Sequence, residues 1–302
     1  MNQWIKELDR IEGFAATSKL GRMLKNPYKY WHSILFRELI YKKTKRAKKV
    51  EGKTFFGSKV HLLLPSSTDI YLAGGKSHDS EIRLAKFLIT HLNESDTFVD
   101  IGAHYGYFTL LGAQLVGDQG RVYAFEASPV TYGILSENCS ALDRIEHFNL
   151  AVSDKEGTLS FYEFPNLYSE YNSLLVEQYV EESWFSDFTP KEIQINSICI
   201  DIFFTQNEIQ PKVIKIDVEG AEDRVIRGMK SHLEVHSPFI VLEYLSSQRG
   251  NNSHKEAEAL LIKLGYQPHQ ITKMGDLLYL PSVSAYLEKY KMESDNIVFV
   301  KR

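Results

Sequence analysis

Residues 97–126 read TFVDIGAHYGYFTLLGAQLVGDQGRVYAFE. Thr97-Phe98-Val99-Asp100-Ile101 is a short apolar run of the kind that fills a buried parallel strand. A glycine turn follows, Gly102-Ala103-His104-Tyr105-Gly106, and then a helical pattern from Tyr107 to Leu115. Arg121 to Glu126 is a second strand. The same alternation runs on in both directions. Before it, Asp79 to Leu92 carries Ile82, Ala85, Leu88 and Ile89 at helical spacing. After it come a helix over Pro129 to Ala141, a strand over Ile145 to Val152 and a strand over Val213 to Asp217. A helix over Ala221 to Leu233, a strand over Phe239 to Tyr244, a helix over His254 to Leu264 and a strand over Asn296 to Val300 complete the series. Alternating strands and helices imply a doubly wound α/β sheet.

Two regions depart from this rhythm. Thr54 to Leu72, around Gly57-Ser58 and Pro65-Ser66-Ser67-Thr68-Asp69, reads as two or three short strands with turns. Gly157 to Ser197 is aromatic-rich and irregular, and is read as a hairpin plus a lid over 165–192. Its rings, Phe161, Tyr162, Phe164, Tyr168, Tyr171, Trp184 and Phe185, suit either stacking on a sugar or packing within the lid.

The 302 residues are 43% hydrophobic and 25% charged, with a net charge of −4, an ordinary globular composition. Two cysteines, Cys139 and Cys199, are too few for a disulfide framework or a cysteine-rich zinc site. The start, MNQWIKELDRIEGF, lacks the apolar run of a signal peptide, and no stretch reaches about 18 uninterrupted apolar residues. The expectation is a cytoplasmic protein. Its mild acidity argues against coating nucleic acid. Lys42 to Lys49, KKTKRAKK, nevertheless holds six basic residues in eight and follows the apolar PYKYWHSILFRELIY. Residues 26–49 therefore offer either a peripheral contact with anionic lipid at the inner membrane face or a solvated turn after a packed helix.

In doubly wound sheets ligands bind at the carboxyl ends of the strands. Asp100 closes the first strand quoted. Gly102 and Gly106 let the backbone turn tightly beside a ligand. Glu126 closes the next strand, where a carboxylate accepts hydrogen bonds from a ribose diol. That spacing serves NAD as well as an adenosyl cofactor, but the loop reads GxxxG rather than GxGxxG. Lys215-Ile216-Asp217-Val218-Glu219-Gly220-Ala221-Glu222 sets three carboxylates at one strand-to-helix turn. Lys215 and Asp217 share a face, and a carboxylate inside an apolar strand is costly unless used. Glu219 lies just outside the strand, and Glu222 reads as first-turn helix charge.

In order along the chain, DIGAHYGYFTLL, FEASPVTYGILSEN, LAVSD, SICID and IKIDVEGAE resemble the FkbM-type methyltransferases from Lys53 to the C-terminus. The resemblance implies a Rossmann-like class I methyltransferase: a mostly parallel seven-stranded sheet with helices on both faces. Residues 53–302 would be this domain and 1–52 an N-terminal helical extension. It also implies S-adenosylmethionine as cofactor and a hydroxyl acceptor, most often on a sugar or glycan. Asp100, Gly102, Ala103 and Gly106 would shape the loop for the methionine end, Glu126 would hold the ribose, and Ala151 to Ser153 would border the adenine. Asp217 would sit beside the sulfonium and Glu219 nearer the acceptor, with Asn172-Ser173 a polar pair close by. Family members commonly carry Asn where this chain has His104, which leaves an imidazole toward the acceptor.

A general base assists methylation of a hydroxyl. The candidates are Asp217 and Glu219, then His104. Glu243, at the end of its strand, is a third carboxylate that with these two would suit a divalent cation, although no spacing demands one. The rival activities are RNA or protein methylation, suggested by the basic run, and a non-catalytic adapter docking through 26–49. Asp-Val-Glu-Gly stands where base-amine methyltransferases carry a proline-aromatic turn, so nucleic acid is an unlikely substrate.

Overall fold

The computed structural model describes residues 2–176 and 179–301. In chain order its strands are β1 (Lys48–Lys53), β2 (Lys59–Leu64), β3 (Thr97–Ile101), β4 (Arg121–Phe125), β5 (Ile145–Phe148), β6 (Ala151–Ser153) and β7 (Gly157–Glu163). There follow β8 (Lys191–Cys199), β9 (Val213–Ile216), β10 (Phe239–Leu245), β11 (Tyr266–Ile271), β12 (Leu277–Tyr279) and β13 (Ser294–Lys301).

Eight of them form the central sheet in the order β12-β11-β13-β10-β9-β3-β4-β5. β10, β9, β3, β4 and β5 are parallel neighbours, and β13 runs antiparallel between β10 and β11. Short β12 adds an eighth strand at the edge to the seven expected. The crossover helices sort to two faces by strand alternation. Phe98, Val241 and Val298 point into one core with Leu84, Leu88, Leu110 and Leu135. Their neighbours Val99, Ile240, Leu242, Ile297 and Phe299 point into the other with Phe203, Val225, Leu261 and Leu287. This is the Rossmann-like α/β architecture that the alternating pattern implies.

The N-terminal helix Asn2–Ala15 joins the first of these cores through Leu8 and Ile11, and Asp9 pairs with Lys86 at 2.6 Å. β1 and β2 form a hairpin turning at Gly57-Ser58, with Val60, Leu62 and Leu64 in the same core.

Three expectations of regular structure change. Thr68–Ala73 is a helix rather than a strand: Ile70, Tyr71 and Ala73 are buried, and Gly74, at φ +81°, closes it. Six residues are too few to display a period. Ile145 to Val152 is two strands in two sheets, because the Asn149 amide donates to the carbonyls of Glu126 and Ala127 and turns the chain away. β6 then pairs with β8, and β8 with β7, in a three-stranded sheet. The helix expected over Ala221 to Leu233 breaks into Glu222–Arg227 and Lys230–Val235 at Gly228. A Cβ there would lie 2.2 Å from the carbonyl oxygen of Ser153, so close approach of backbones fixes this glycine.

Two glycine-to-alanine changes therefore have opposite signs in urea denaturation. Gly228→Ala destabilises by about 1–3 kcal/mol, because backbone must move to admit the methyl. Gly133→Ala, inside the helix Pro129–Cys139 with nothing within 4 Å of the new Cβ, stabilises by about 0.5–1 kcal/mol.

Candidate active site

The register of the central strands sets Asp100 directly opposite Lys215, and Asp217 follows on the same face. Lys215 is buried, and its Nζ lies 3.4 Å from Asp100 Oδ1, 3.2 Å from Asp217 Oδ2 and 3.3 Å from the Gly102 carbonyl. Thr109 Oγ1 donates to Asp100 Oδ2 at 2.6 Å. Burial opposes the charge on Lys215, but Asp217 and Asp100 outweigh it and raise the lysine above its ordinary pKa. Asp100 is itself pushed up by burial, with Lys215 and Thr109 pulling the other way. The ammonium thus ties the ends of β3 and β9 to the turn that follows β3.

That turn is held closely. Gly102 has φ +78°, and a Cβ on it would stand 1.8 Å from the Asp217 carbonyl oxygen, so no other residue fits. The N–H groups of Gly102 and Ala103 both donate to the Phe125 carbonyl at 2.9 and 3.0 Å. His104, at φ +50°, donates its backbone N–H to Glu126 Oε2 at 2.9 Å. Ser128 N donates to Glu126 Oε1, also at 2.9 Å. Burial raises Glu126 to about 7, against the pull of those two N–H groups. Each of its oxygens keeps a lone pair beyond its single backbone bond, and the carboxylate lines the cavity.

The cavity, of about 600 Å³, opens at the carboxyl edge of the sheet. Gly102, His104 and Glu126 line it, and Leu150, Ala151, Val152, Phe161 and Leu174 are among its apolar lining residues. Asp217, Glu219 and Glu243 line it too, with one carboxylate oxygen of each within 4.8 Å of the others. Glu219 has φ +52°, an uncommon conformation for a residue with a side chain. The Tyr179 hydroxyl donates to Glu219 Oε2 at 2.8 Å, and Ser173 Oγ donates to the Glu219 carbonyl at 2.6 Å. Burial, then the charge of Asp217, raises Glu219 to about 8. Glu243 is raised well above the carboxylate range by burial and by Asp217 and Glu219.

The irregular segment after β7 covers this opening. Ser169, Glu170, Tyr171 and Asn172 line the cavity. Ser169 Oγ is 3.1 Å from His104 Nε2, and Glu170 pairs with Lys76 at 2.7 Å. Burial lowers His104 to about 4, so its ring is neutral and weakly basic near neutral pH. Most of the segment's rings pack on one another: Trp184 stacks on Tyr168 at 4.0 Å and on Tyr171 at 5.4 Å. Only Phe161 and Tyr171 of that aromatic set reach the cavity.

Of the residues singled out from sequence, Gly102, His104, Glu126, Ala151, Asp217 and Glu219 share the cavity wall. Asp100, Ala103, Gly106 and Ser153 are not among the residues that line the cavity. Ser153 is buried, its Oγ 3.2 Å from Asp154 Oδ1. Glu222 caps its own turn, accepting from Gly220 N at 3.1 Å and lying 3.4 Å from His254. Asn172 lines the cavity while its Oδ1 accepts from Phe164 N at 2.7 Å. Sequence reasoning missed Lys76, Glu81, Arg83 and Arg249, which also line the cavity. They stand on no strand end and carry no motif; only tertiary folding brings them here.

The sheet order and the cavity at its carboxyl edge are those of a Rossmann-like α/β fold. The model of the family described as "Methyltransferase FkbM domain" matches residues 100–268, more than half of the chain, and the chain belongs to that family. Methyltransferase sdnD of Sordaria araneosa is 25% identical over 201 residues, covering 59% of this chain and 76% of the relative. Hexuronic acid methyltransferase AglP of Haloferax volcanii is 24% identical over 215 residues, covering 70% and 74%. Among solved structures, Methyltransferase FkbM from Methylobacillus flagellatus shares 14% identity at a TM-score of 0.43, covering 90% of this chain and 62% of that one.

The ion pairs at Lys215 give a direct test. Lys215→Met leaves two carboxylates without their cation and lowers unfolding free energy by about 3–5 kcal/mol. The deficit narrows as pH falls, because protonated Asp100 no longer requires a positive partner. Urea denaturation across pH measures both.

Proposed function

We propose that the chain methylates a hydroxyl oxygen of a sugar or glycan, with the Glu219 carboxylate as general base. The observation that carries this reading is the presence of two differently held carboxylates on the wall of one cavity. Glu126 is held by two backbone N–H groups, and Glu219 stands in a cluster with Asp217 and Glu243.

The residues present fit S-adenosylmethionine. Glu126 has free lone pairs for the ribose diol, and Leu150, Ala151 and Phe161 offer an apolar slot for adenine. The turn Gly102 to Gly106, with Asp100 and Ala103 fixing its shape, would hold the methionine end, and Ser153 supports the adenine wall from below. When bound, the cofactor supplies an activated methyl group on a sulfonium, open to in-line displacement by an oxygen. Asp217, fixed by Lys215, provides negative potential on the cavity wall. Glu219 accepts the proton that the acceptor hydroxyl loses. The segment bearing Ser169 to Asn172 excludes water, and His104 positions it through Ser169. The relative AglP, named for a hexuronic acid, supports a sugar as the acceptor class.

A base works only when ionised. With Glu219 raised to about 8, the rate of the free enzyme climbs as pH rises through that value and falls below it. Glu219→Gln removes this limb, lowers kcat by about 10²–10⁴-fold and leaves S-adenosylhomocysteine affinity nearly unchanged. A pH–rate profile of both proteins, with uronic acid and neutral sugar acceptors compared, makes the test. An unaltered profile in the variant removes Glu219 from the role.

A further inference from the structure

From Lys19 to Lys49 the chain carries eleven Lys and Arg against one acid, Glu38, in a protein of net charge −4. Glu38 is already paired, with Arg37 and Lys42. The segment folds as the helix Lys19–Lys25, followed by a rod made of Pro27–Leu35, Phe36–Tyr41 and Lys42–Thr44. One face of the rod is fixed to the domain. Ser33, Phe36 and Tyr41 are buried, and Asn26 and Lys29 donate to the carbonyls of Leu72 and Tyr71.

The opposite face is apolar and faces solvent. Tyr28, Trp31, Leu35 and Leu39 recur at intervals of three and four residues, about half a turn from Ser33, and are 78%, 50%, 47% and 61% exposed. Leu20 and Leu24 extend the apolar surface on the preceding helix at 63% and 71%. Lys42, Lys43, Lys45, Arg46 and Lys48 follow directly, all exposed. A solvated helix has no use for six large exposed apolar side chains beside a dense block of cations.

We propose that this face docks on an anionic phospholipid bilayer. Only such a surface satisfies both features together: apolar and aromatic side chains enter the headgroup boundary while the cations meet lipid phosphate. A second copy is disfavoured by charge, since a two-fold contact through this face sets the exposed Lys43, Lys45, Arg46 and Lys48 against their own copies. A bare polyanion such as RNA would neutralise the lysines and leave the leucines in water.

The face adjoins the cavity cover. The Leu167 N–H donates to the Tyr41 hydroxyl at 2.8 Å, and Lys45 Nζ sits 3.5 Å above the Phe188 ring. Leu167 and Phe188 flank the segment whose Ser169 to Asn172 line the cavity, so a docked protein holds its cavity near the bilayer.

Flotation with vesicles tests the proposal on the full chain. Vesicles of phosphatidylglycerol and phosphatidylcholine should carry the protein, and pure phosphatidylcholine should not. Binding should weaken at least tenfold in Trp31→Ala/Leu39→Ala, and again in Lys43→Glu/Arg46→Glu, with thermal unfolding unchanged in both. S-adenosylhomocysteine binding should persist in these variants, which separates failure here from failure of the methyltransferase reading. Three results overturn the proposal: no anionic vesicle binding by the wild type, binding insensitive to Trp31 and Leu39, or a lipid-free dimer that the Trp31 variant dissolves.

Discussion

One buried ammonium organises the catalytic edge. Lys215 lies within 3.4 Å of Asp100, Asp217 and the Gly102 carbonyl, and so binds the ends of two adjacent strands and the turn between strand and helix. Charges this deep are tolerated only when paired and hydrogen-bonded. Here two carboxylates, a carbonyl and the Thr109 hydroxyl complete the set. With the strand ends locked, Gly102 packs so tightly on Asp217 that its lack of a side chain becomes a requirement of the geometry. The rest of the turn then points its N–H groups at Phe125 and Glu126.

Around that fixed turn the carboxylates meet separate environments. Asp100 is enclosed beneath the cavity and serves the lysine. Glu126 keeps a face to the cavity and is braced by two backbone donors. Glu219 lines the same cavity on a backbone at positive φ, pushed toward proton uptake by burial and by Asp217. Asp100, Glu126 and Glu219 thus meet three different environments near one sheet edge, and the proposed division into support, recognition and proton transfer rests on that difference.

The central architecture was legible because its strands are short, continuous apolar runs ended by glycine or acid. Thr97–Ile101 was placed to the residue, and strand alternation correctly set Lys215 and Asp217 on one face. The pairing of Lys215 with Asp100 was not legible, since it depends on strand order and register across more than a hundred residues. Gly228 looked like an interior helix residue; its constraint is the Ser153 carbonyl, brought by a distant strand. Asn149 hid the split between two sheets in the same way, its side chain replacing ladder bonds that local pattern assumes. Lys76 and Arg249 join the cavity from loops, where no periodicity marks them. The apolar stripe from Tyr28 to Leu39 was visible as composition, but which face it occupied awaited the packing of Ser33, Phe36 and Tyr41.

The central claim is that the braced Glu126 carboxylate and the Gly102 turn form an adenosyl-cofactor cradle. Calorimetric titration tests it most directly, with S-adenosylhomocysteine and NAD added separately to the wild type and to Glu126→Ala. The account predicts one-to-one binding of S-adenosylhomocysteine, at least tenfold weaker in the variant, and no heat from NAD. Binding of NAD in its place, or S-adenosylhomocysteine affinity indifferent to Glu126, would contradict it.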